Sequence, residues 1–342
     1  MPSLVLTSDT LEVRLKSRRV EVLRRNPAHP EQPAQRSEIP LLDVERLLII
    51  GQPSVSLPVL VEIMDEGIPC FFLTSHGRWR GSLSPDKNQN ALRRVRQYEQ
   101  SLDLGFCLKV ARNLIYAKLK NSRRVLQRLA ANRELSNTPE HKTVCEELLQ
   151  YAEKSLTADS LDELRGYEGM GAARYFKRLG EFFPADIPFK GRTRRPPRDE
   201  ANALMSWSYT ILLGELEGAV RAHGLDASLG VFHEFAAGRP SLALDLLEPL
   251  RAPVADLLVL NILNHNILKK EHFEIDSKDG GTYLKESARK PYFIAYEQSM
   301  TRQFCVTKDS PHTDLRKVLD EQVCSYLRML EKGTDEPFFL LP

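Results

Sequence analysis

The sequence predicts an α+β protein: a small N-terminal β domain with one helix, residues 1–86, followed by a larger all-α domain, residues 87–342. Three observations carry this expectation. A chain of 342 residues is longer than one hydrophobic core usually organises, which favours two domains. Short β-type runs crowd the chain up to Leu83 and then give way to long stretches of helical periodicity. Between the two lies SPDKNQN, residues 84–90, polar and proline-bearing as a linker should be.

The strand candidates are LVLT, LEVRL, RVEVLRR, the pair within IPLLDVERLLIIG, IPCFFLT and GRWRGSL. Turn residues separate them, as in a small β domain. One helix interrupts the series: Ser56 is placed to cap LPVLVEIMDEG, and Gly67 to stop it. From Ala91 onward the clearest helix covers residues 103–133, with a break allowed near Asn121. Advancing about 100° per residue puts Lys109, Arg112, Lys120, Arg123 and Arg124 on one side, and Leu108, Ala111, Leu114, Ile115, Leu126 and Leu129 on the other. Lys118 falls among the apolar positions and fits this wheel poorly.

Composition excludes several classes. With 42% hydrophobic and 27% charged residues, the chain has no bias toward disorder or repeats. No run of eighteen apolar residues occurs, and the start lacks a secretory pattern, so a soluble cytoplasmic protein without a membrane partner is expected. The five cysteines are scattered, with no CxxC pair to open a zinc or iron–sulfur site, and read as free, mostly structural thiols. Net charge is only +2, but its distribution is uneven. Residues 104–133 hold eight Lys or Arg and no acid, and residues 190–198 hold Lys190, Arg192, Arg194, Arg195 and Arg198, again with no acid. Such runs are more often solvated helix faces; the absence of any acid over thirty residues favours a polyanion surface.

Three stretches place hard-metal ligands in polar or glycine-rich surroundings: LRGYEGMGAARYF with Glu168, GVFH with His233, and GRPSLALDLLEPLR with Asp245 and Glu248. Carboxylates with one imidazole suit Mg²⁺ or Mn²⁺ better than a thiolate metal. Asp245 and Glu248, three apart, should share a helix face, with Ser241 as N-cap and Pro249 ending or kinking the helix after Glu248. Glu168 is expected to open a helix between Gly166 and Gly169. Singly, each residue has a plainer explanation: a surface Glu, a hydrogen-bonded His, an Asp245–Arg251 pair.

Together, these segments closely resemble the CRISPR-associated integrase and endonuclease family, Cas1. The order Glu, His, then Asp-x-x-Asp/Glu agrees, and RRPPRDEANALMSWSYTILL, the segment from IPLLDVERLL to GRWRG, and GGTYLKESARKPYFIAYEQSM extend the likeness over nearly the whole chain. The resemblance implies Glu168, His233 and Glu248 as metal ligands and Asp245 as a supporting catalytic acid. Many members have Asp where this chain has Glu248. It implies a reaction in which the 3′-hydroxyl of a prespacer attacks a phosphodiester of a CRISPR repeat, on Mg²⁺ or Mn²⁺. It also implies a homodimer bridged by a small CRISPR-associated protein, Cas2, with any prespacer-trimming exonuclease a separate chain. The β domain and the tail EPFFLLP are the expected contact surfaces. Arg165 and Arg174 are candidate phosphate clamps, and Lys118, Lys120, Arg123 and Arg124 candidate DNA contacts. The basic run in FKGRTRRPPR reads as a mobile or extended DNA-binding arm. Tyr167 and Tyr175 are candidates to stack on bases, whereas Trp207 and Tyr209 read as core. Two rivals stand beside this reading: a mobile-element integrase or branched-DNA nuclease, and a non-catalytic DNA-binding scaffold.

Overall fold

The computed structural model describes residues 3–25, 32–75, 77, 79–83, 91–193, 195–307 and 310–342. Two compact units result: one contains the described residues of 1–89 with Leu284–Glu297, the other those of Asn90–Tyr283 and Gln298–Pro342. The linker SPDKNQN and the 86/87 boundary lie outside the described residues, and the first unit takes a later segment that a single cut does not anticipate.

The first unit holds two sheets and a helix. Its strands are β1 (Ser3–Leu6), β2 (Leu11–Lys16), β3 (Arg19–Arg24), β4 (Gln35–Pro40), β5 (Arg46–Ile50), β6 (Ser54–Val55), β7 (Cys70–Leu73) and β8 (Trp79–Leu83), with α1 (Leu57–Asp65) between β6 and β7. One sheet runs β1-β5-β7-β8 and the other β4-β3-β2-β6. β5 is parallel to both β1 and β7, and Leu47, Leu48, Ile49 and Ile50 are all buried, as befits a central strand covered on both faces. β2 alternates, turning Leu11 and Val13 inward toward Val20, Leu47, Val59 and Ile63. Gly67 closes α1 at φ +77°, a conformation that other residues adopt at a cost. Ser56 stands at the N-cap, but its hydroxyl makes no cap; Pro58 occupies the first turn instead.

The second unit is built on α2 (Ala91–Leu102), α3 (Leu104–Ala131), α4 (Pro139–Ser155), α5 (Leu161–Leu179) and α6 (Glu200–Ala222), then α7 (Ser241–Leu247) and α8 (Leu257–Asn264). Its chain continues through β9 (Phe273–Ile275), β10 (Thr282–Leu284) and, after α9 (Glu286–Thr301), most of which belongs to the first unit, α10 (Leu315–Lys332). β9 and β10 form a two-stranded sheet, so the region after the linker is not all α. α3 runs unbroken through Asn121, about 42 Å at the usual rise. Asp103 caps its start by accepting from Gly105 N–H. α6 is buried on most sides, with Trp207 and Tyr209 in its core-facing surface as expected. No helix among the described residues is long and apolar enough to cross a membrane.

Candidate active site

Glu168 lies in the middle of α5 and does not open a helix. α5 starts earlier, where Ser160 Oγ accepts from Glu163 N–H and Glu163 Oε2 accepts from Asp159 N–H. Gly166 and Gly169 face open space, while Gly171 does not: a Cβ there would fall 2.2 Å from Leu119 Cδ2. The bare backbone at Gly171 therefore lets α5 pack closely on α3, and this brings Glu168 to Lys118.

His233 hangs on an irregular loop that Asp245 holds in shape. The Asp245 carboxylate, fully buried, accepts from Val231 N–H (2.6 Å), Phe232 N–H (3.0 Å) and His233 N–H (2.9 Å). Its Oδ1 also takes the Nδ1–H of His233 at 2.6 Å. With Nδ1 donating to Asp245, the other ring nitrogen, Nε2, faces Glu248 Oε1 at 3.9 Å. Gly230 is essential to this loop, because a Cβ would meet Asp245 Oδ2, His233 O and Ser241 Cβ, each at 2.8 Å. Asp245 was expected as a supporting catalytic acid; in the structure its oxygens are taken by the loop and the imidazole, an arrangement that orients His233. Ser241 is the first residue of α7 and not its cap; its hydroxyl donates to Glu234 O. α7 ends at Leu247, and Glu248–Leu250 forms a 3₁₀ turn leading into a π-helical stretch, Arg251–Asp256. The irregularity follows from Pro249 and Pro253, which lack the donors a regular helix needs.

Glu248 is the electrostatic centre. Lys118 Nζ donates to Glu248 Oε2 at 2.6 Å and to Glu168 Oε1 at 2.5 Å, and Arg251 Nη2 lies 3.1 Å from Glu248 Oε1. Burial alone would push the Glu248 carboxyl up, but Arg251, Lys118 and His233 outweigh it and hold it at about 2. Lys118, expected as a DNA contact, is thus partly buried and paired with two carboxylates. Its ammonium is a cation resting on two carboxylates, at the place where a divalent ion would be held. That position, and the set of two carboxylates with one imidazole, fit Mg²⁺ or Mn²⁺.

Two partners of this site went unread in the sequence. Arg251, expected only as a mate for Asp245, pairs with Glu248 three residues before it and stacks on Tyr209, 4.9 Å from the ring centroid. Lys118 did leave a signal, for a charge on the apolar side of a helix demands a buried partner.

The other basic residues divide by environment. Arg165 pairs with Asp162 (2.5 Å), and Arg174 with Glu147 (3.0 Å); both side chains stay partly exposed. On α3 the acceptors are largely backbone carbonyls of the same unit: Arg112 donates to Ala158 O, Arg123 to Cys145 O, and Arg124 and Arg128 to Pro342 O, while Lys120 lies over the Tyr116 ring. Lys190, Arg195 and Arg198 are exposed, and Arg194 lies outside the described residues. Arg192 is tied to Asn202 Oδ1 and the Tyr209 ring, and Pro197 O accepts from Thr282 N–H, so this segment is anchored and is no mobile arm. Tyr175 is likewise unavailable for base stacking: it and Tyr209 are buried and donate to Asp256. Tyr167 remains exposed and donates to Glu163. The tail, expected as a contact surface, packs on its own unit, with Phe338 buried and Leu341 N–H donating to Asn121 Oδ1.

Comparison with known proteins bears on this geometry. A sequence model of the family described as CRISPR associated protein Cas1 matches residues 4–298. The chain belongs to the Cas1 family. It is 33% identical over 286 residues to the CRISPR-associated endonuclease Cas1 1 of Thermodesulfovibrio yellowstonii, spanning 83% of this chain and 89% of that one. It is 35% identical over 258 residues to the Cas1 3 of Thermus thermophilus, spanning 75% and 74%. Among solved structures, a Cas1 protein from Thermotoga maritima matches all of both chains with a TM-score of 0.79 at 22% identity. A casposase bound to its integration product reaches 0.86 at 20% identity, covering 100% of this chain and 94% of that one. At those identities the likeness is one of fold.

Proposed function

We propose that this Cas1 protein is the integrase of a CRISPR adaptation system, joining the 3′-hydroxyl ends of prespacer DNA to the repeat of an array by transesterification. The observation that carries the proposal is the pairing of Glu168 and Glu248 through the Lys118 ammonium, with His233 Nε2 3.9 Å from Glu248 Oε1. A divalent ion bound there, Mg²⁺ or Mn²⁺, would supply Lewis-acid polarisation of the scissile phosphate and a charge to offset the developing oxyanion.

The chain's own residues do the rest. Glu168 and Glu248 provide anionic oxygens, and Asp245 fixes the His233 ring so that Nε2 faces Glu248. Arg251 keeps Glu248 ionised and aimed. Lys118 neutralises the carboxylates and is in reach of an incoming phosphate once they hold another cation. Exposed Arg165 and Arg174 flank Glu168 on α5, and with Lys120, Arg123, Arg124, Lys190, Arg195 and Arg198 they would contact the sugar–phosphate backbone. Arg165 also stacks on Phe232, next to His233, which links backbone contact to the imidazole loop. A water in place of the 3′-hydroxyl gives endonuclease activity, and reversal releases a branch.

The reading extends to a cytoplasmic homodimer with a Cas2 bridge and a separate prespacer-trimming exonuclease. Support comes from the names of relatives: one similar structure is a Cas6-RT-Cas1–Cas2 complex, and one relative, from Geobacter sulfurreducens, is a Cas4 exonuclease/Cas1 endonuclease fusion. The test is resolution of a branched duplex by the purified protein in Mg²⁺, Mn²⁺ or EDTA. Strand release that needs the ion and disappears in Glu168→Gln supports the reading; release in EDTA, or in the variant, removes it.

A further inference from the structure

Away from the active site, three ligand-bearing side chains converge: His223 at the end of α6, and Asp320 and Cys324 one turn apart on α10. We propose that they form a second metal site, of the borderline-soft class that Zn²⁺ represents. His223 Nε2 is 2.7 Å from Asp320 Oδ1, and Cys324 Sγ is 4.0 Å from that nitrogen and 3.9 Å from Asp320 Oδ2. All three ligand atoms lie within 4.8 Å of one another.

A histidine–aspartate ion pair accounts for two of these groups but not for a thiol aimed at both. The sulfur contacts are at the far limit of hydrogen bonding, yet they suit a shared ion. Around a tetrahedral Zn²⁺, with bonds of about 2.0 Å to N or O and about 2.3 Å to S, neighbouring ligands stand roughly 3.3–3.6 Å apart. With one ligand atom from each residue already within 4.8 Å of the others, the sulfur has at most about 1.5 Å to close and the His–Asp pair about half an ångström to open. Rotamer adjustment suffices, because Asp320 is 61% exposed and is free to move. Nearby cations are occupied elsewhere: Arg93 Nη1 donates to His223 O and its Nε to Glu331, and Arg328 pairs with Glu321 and Glu336. Exposure also gives the ion a route in and leaves a fourth position for water. Binding releases the Cys324 proton to solvent, since the ligand is the thiolate.

The site is distinct from the phosphodiester site, whose donors are carboxylates and an imidazole without sulfur. Its position gives it a structural consequence. The chain leaving α6 at His223 runs directly into the loop that carries His233, and Gln322 of α10 donates to Leu246 O on α7. An ion here ties α6 to α10 at the root of the segment that presents the imidazole.

The test is titration of the metal-stripped, full-length protein with Co²⁺, followed by thiolate-to-cobalt charge-transfer absorption. One equivalent per chain is expected to develop that absorption, Zn²⁺ to bleach it, Cys324→Ser to abolish it and Glu168→Gln to leave it intact. In the unaltered protein, Zn²⁺ should also protect Cys324 from alkylation by iodoacetamide, read by peptide mass. Absence of the charge-transfer band, its survival in Cys324→Ser, or alkylation of Cys324 at an unchanged rate in Zn²⁺ would overturn the proposal.

Discussion

Glu168 and Glu248 both rest their charge on the Lys118 ammonium, so Lys118→Met leaves two carboxylates facing a vacated cation position. The variant should melt lower than the parent without divalent ions, and gain several degrees more than the parent when Mn²⁺ is added. Equal Mn²⁺-induced shifts by scanning calorimetry would show that Lys118 is no counter-ion. Asp245→Ala removes the acceptor of three backbone N–H groups and the imidazole Nδ1–H at a buried position, and should cost on the order of 3 kcal/mol or more in a denaturant titration. Asp256 supplies the pH dependence. Burial outweighs the hydrogen bonds from Tyr209 and Tyr175 and raises its carboxyl from 3.8 to about 6. A raised folded-state value means that its contribution is full below the unfolded value and is lost as pH rises through the folded one. Stability relative to Asp256→Asn should therefore fall between about pH 4 and 6, by roughly 1–3 kcal/mol, and then level off. A flat difference across that window would contradict the assignment. At this scale the candidates Glu168, His233 and Glu248 were legible as hard-metal ligand types in glycine- and proline-interrupted stretches, and the structure places His233 Nε2 beside Glu248 and Glu168 across Lys118 from it. Lys118 and Arg251 were not assigned their places, since a charge pair across elements has no local pattern.

The elements explain how those residues meet. α3 was readable as a basic and apolar helix; what its sequence did not show is that Arg112, Arg123, Arg124 and Arg128 also donate to backbone carbonyls of the same unit. Asn121 joins three segments, donating to Pro249 O (2.7 Å) and Phe339 O (2.9 Å) and accepting from Leu341 N–H (2.8 Å). Asn121→Ala should release the tail, with hydrogen exchange at Leu341 accelerated well beyond that at Phe339, whose N–H donates instead to Gln322. Unchanged exchange at Leu341 would contradict the tail's anchoring. β4 escaped the sequence reading because QRSEIP is an exposed edge strand with little apolar alternation. Only its pairing with β3 reveals it, with Arg36 opposite Leu23 and its guanidinium reaching diagonally to Glu21. The hairpin of β9 and β10 escaped for a similar reason, three-residue strands being too short for a period to show.

For the whole molecule, the succession of strands and then helices was legible, because the change from period two to helical spacing is a property of long stretches. The return of Leu284–Glu297 to the first unit was not, since long-range packing leaves no mark in local pattern. Family membership places a nuclease chemistry on this fold, and the site proposed for it lies around Glu248. The direct test of the central claim is integration of a short duplex with 3′-hydroxyl ends into a supercoiled plasmid bearing the cognate repeat, with the bridging partner present. Covalent joining in Mg²⁺ or Mn²⁺ that is lost in EDTA and in His233→Ala is the result the account predicts; joining that persists in His233→Ala, or without a divalent ion, would contradict it.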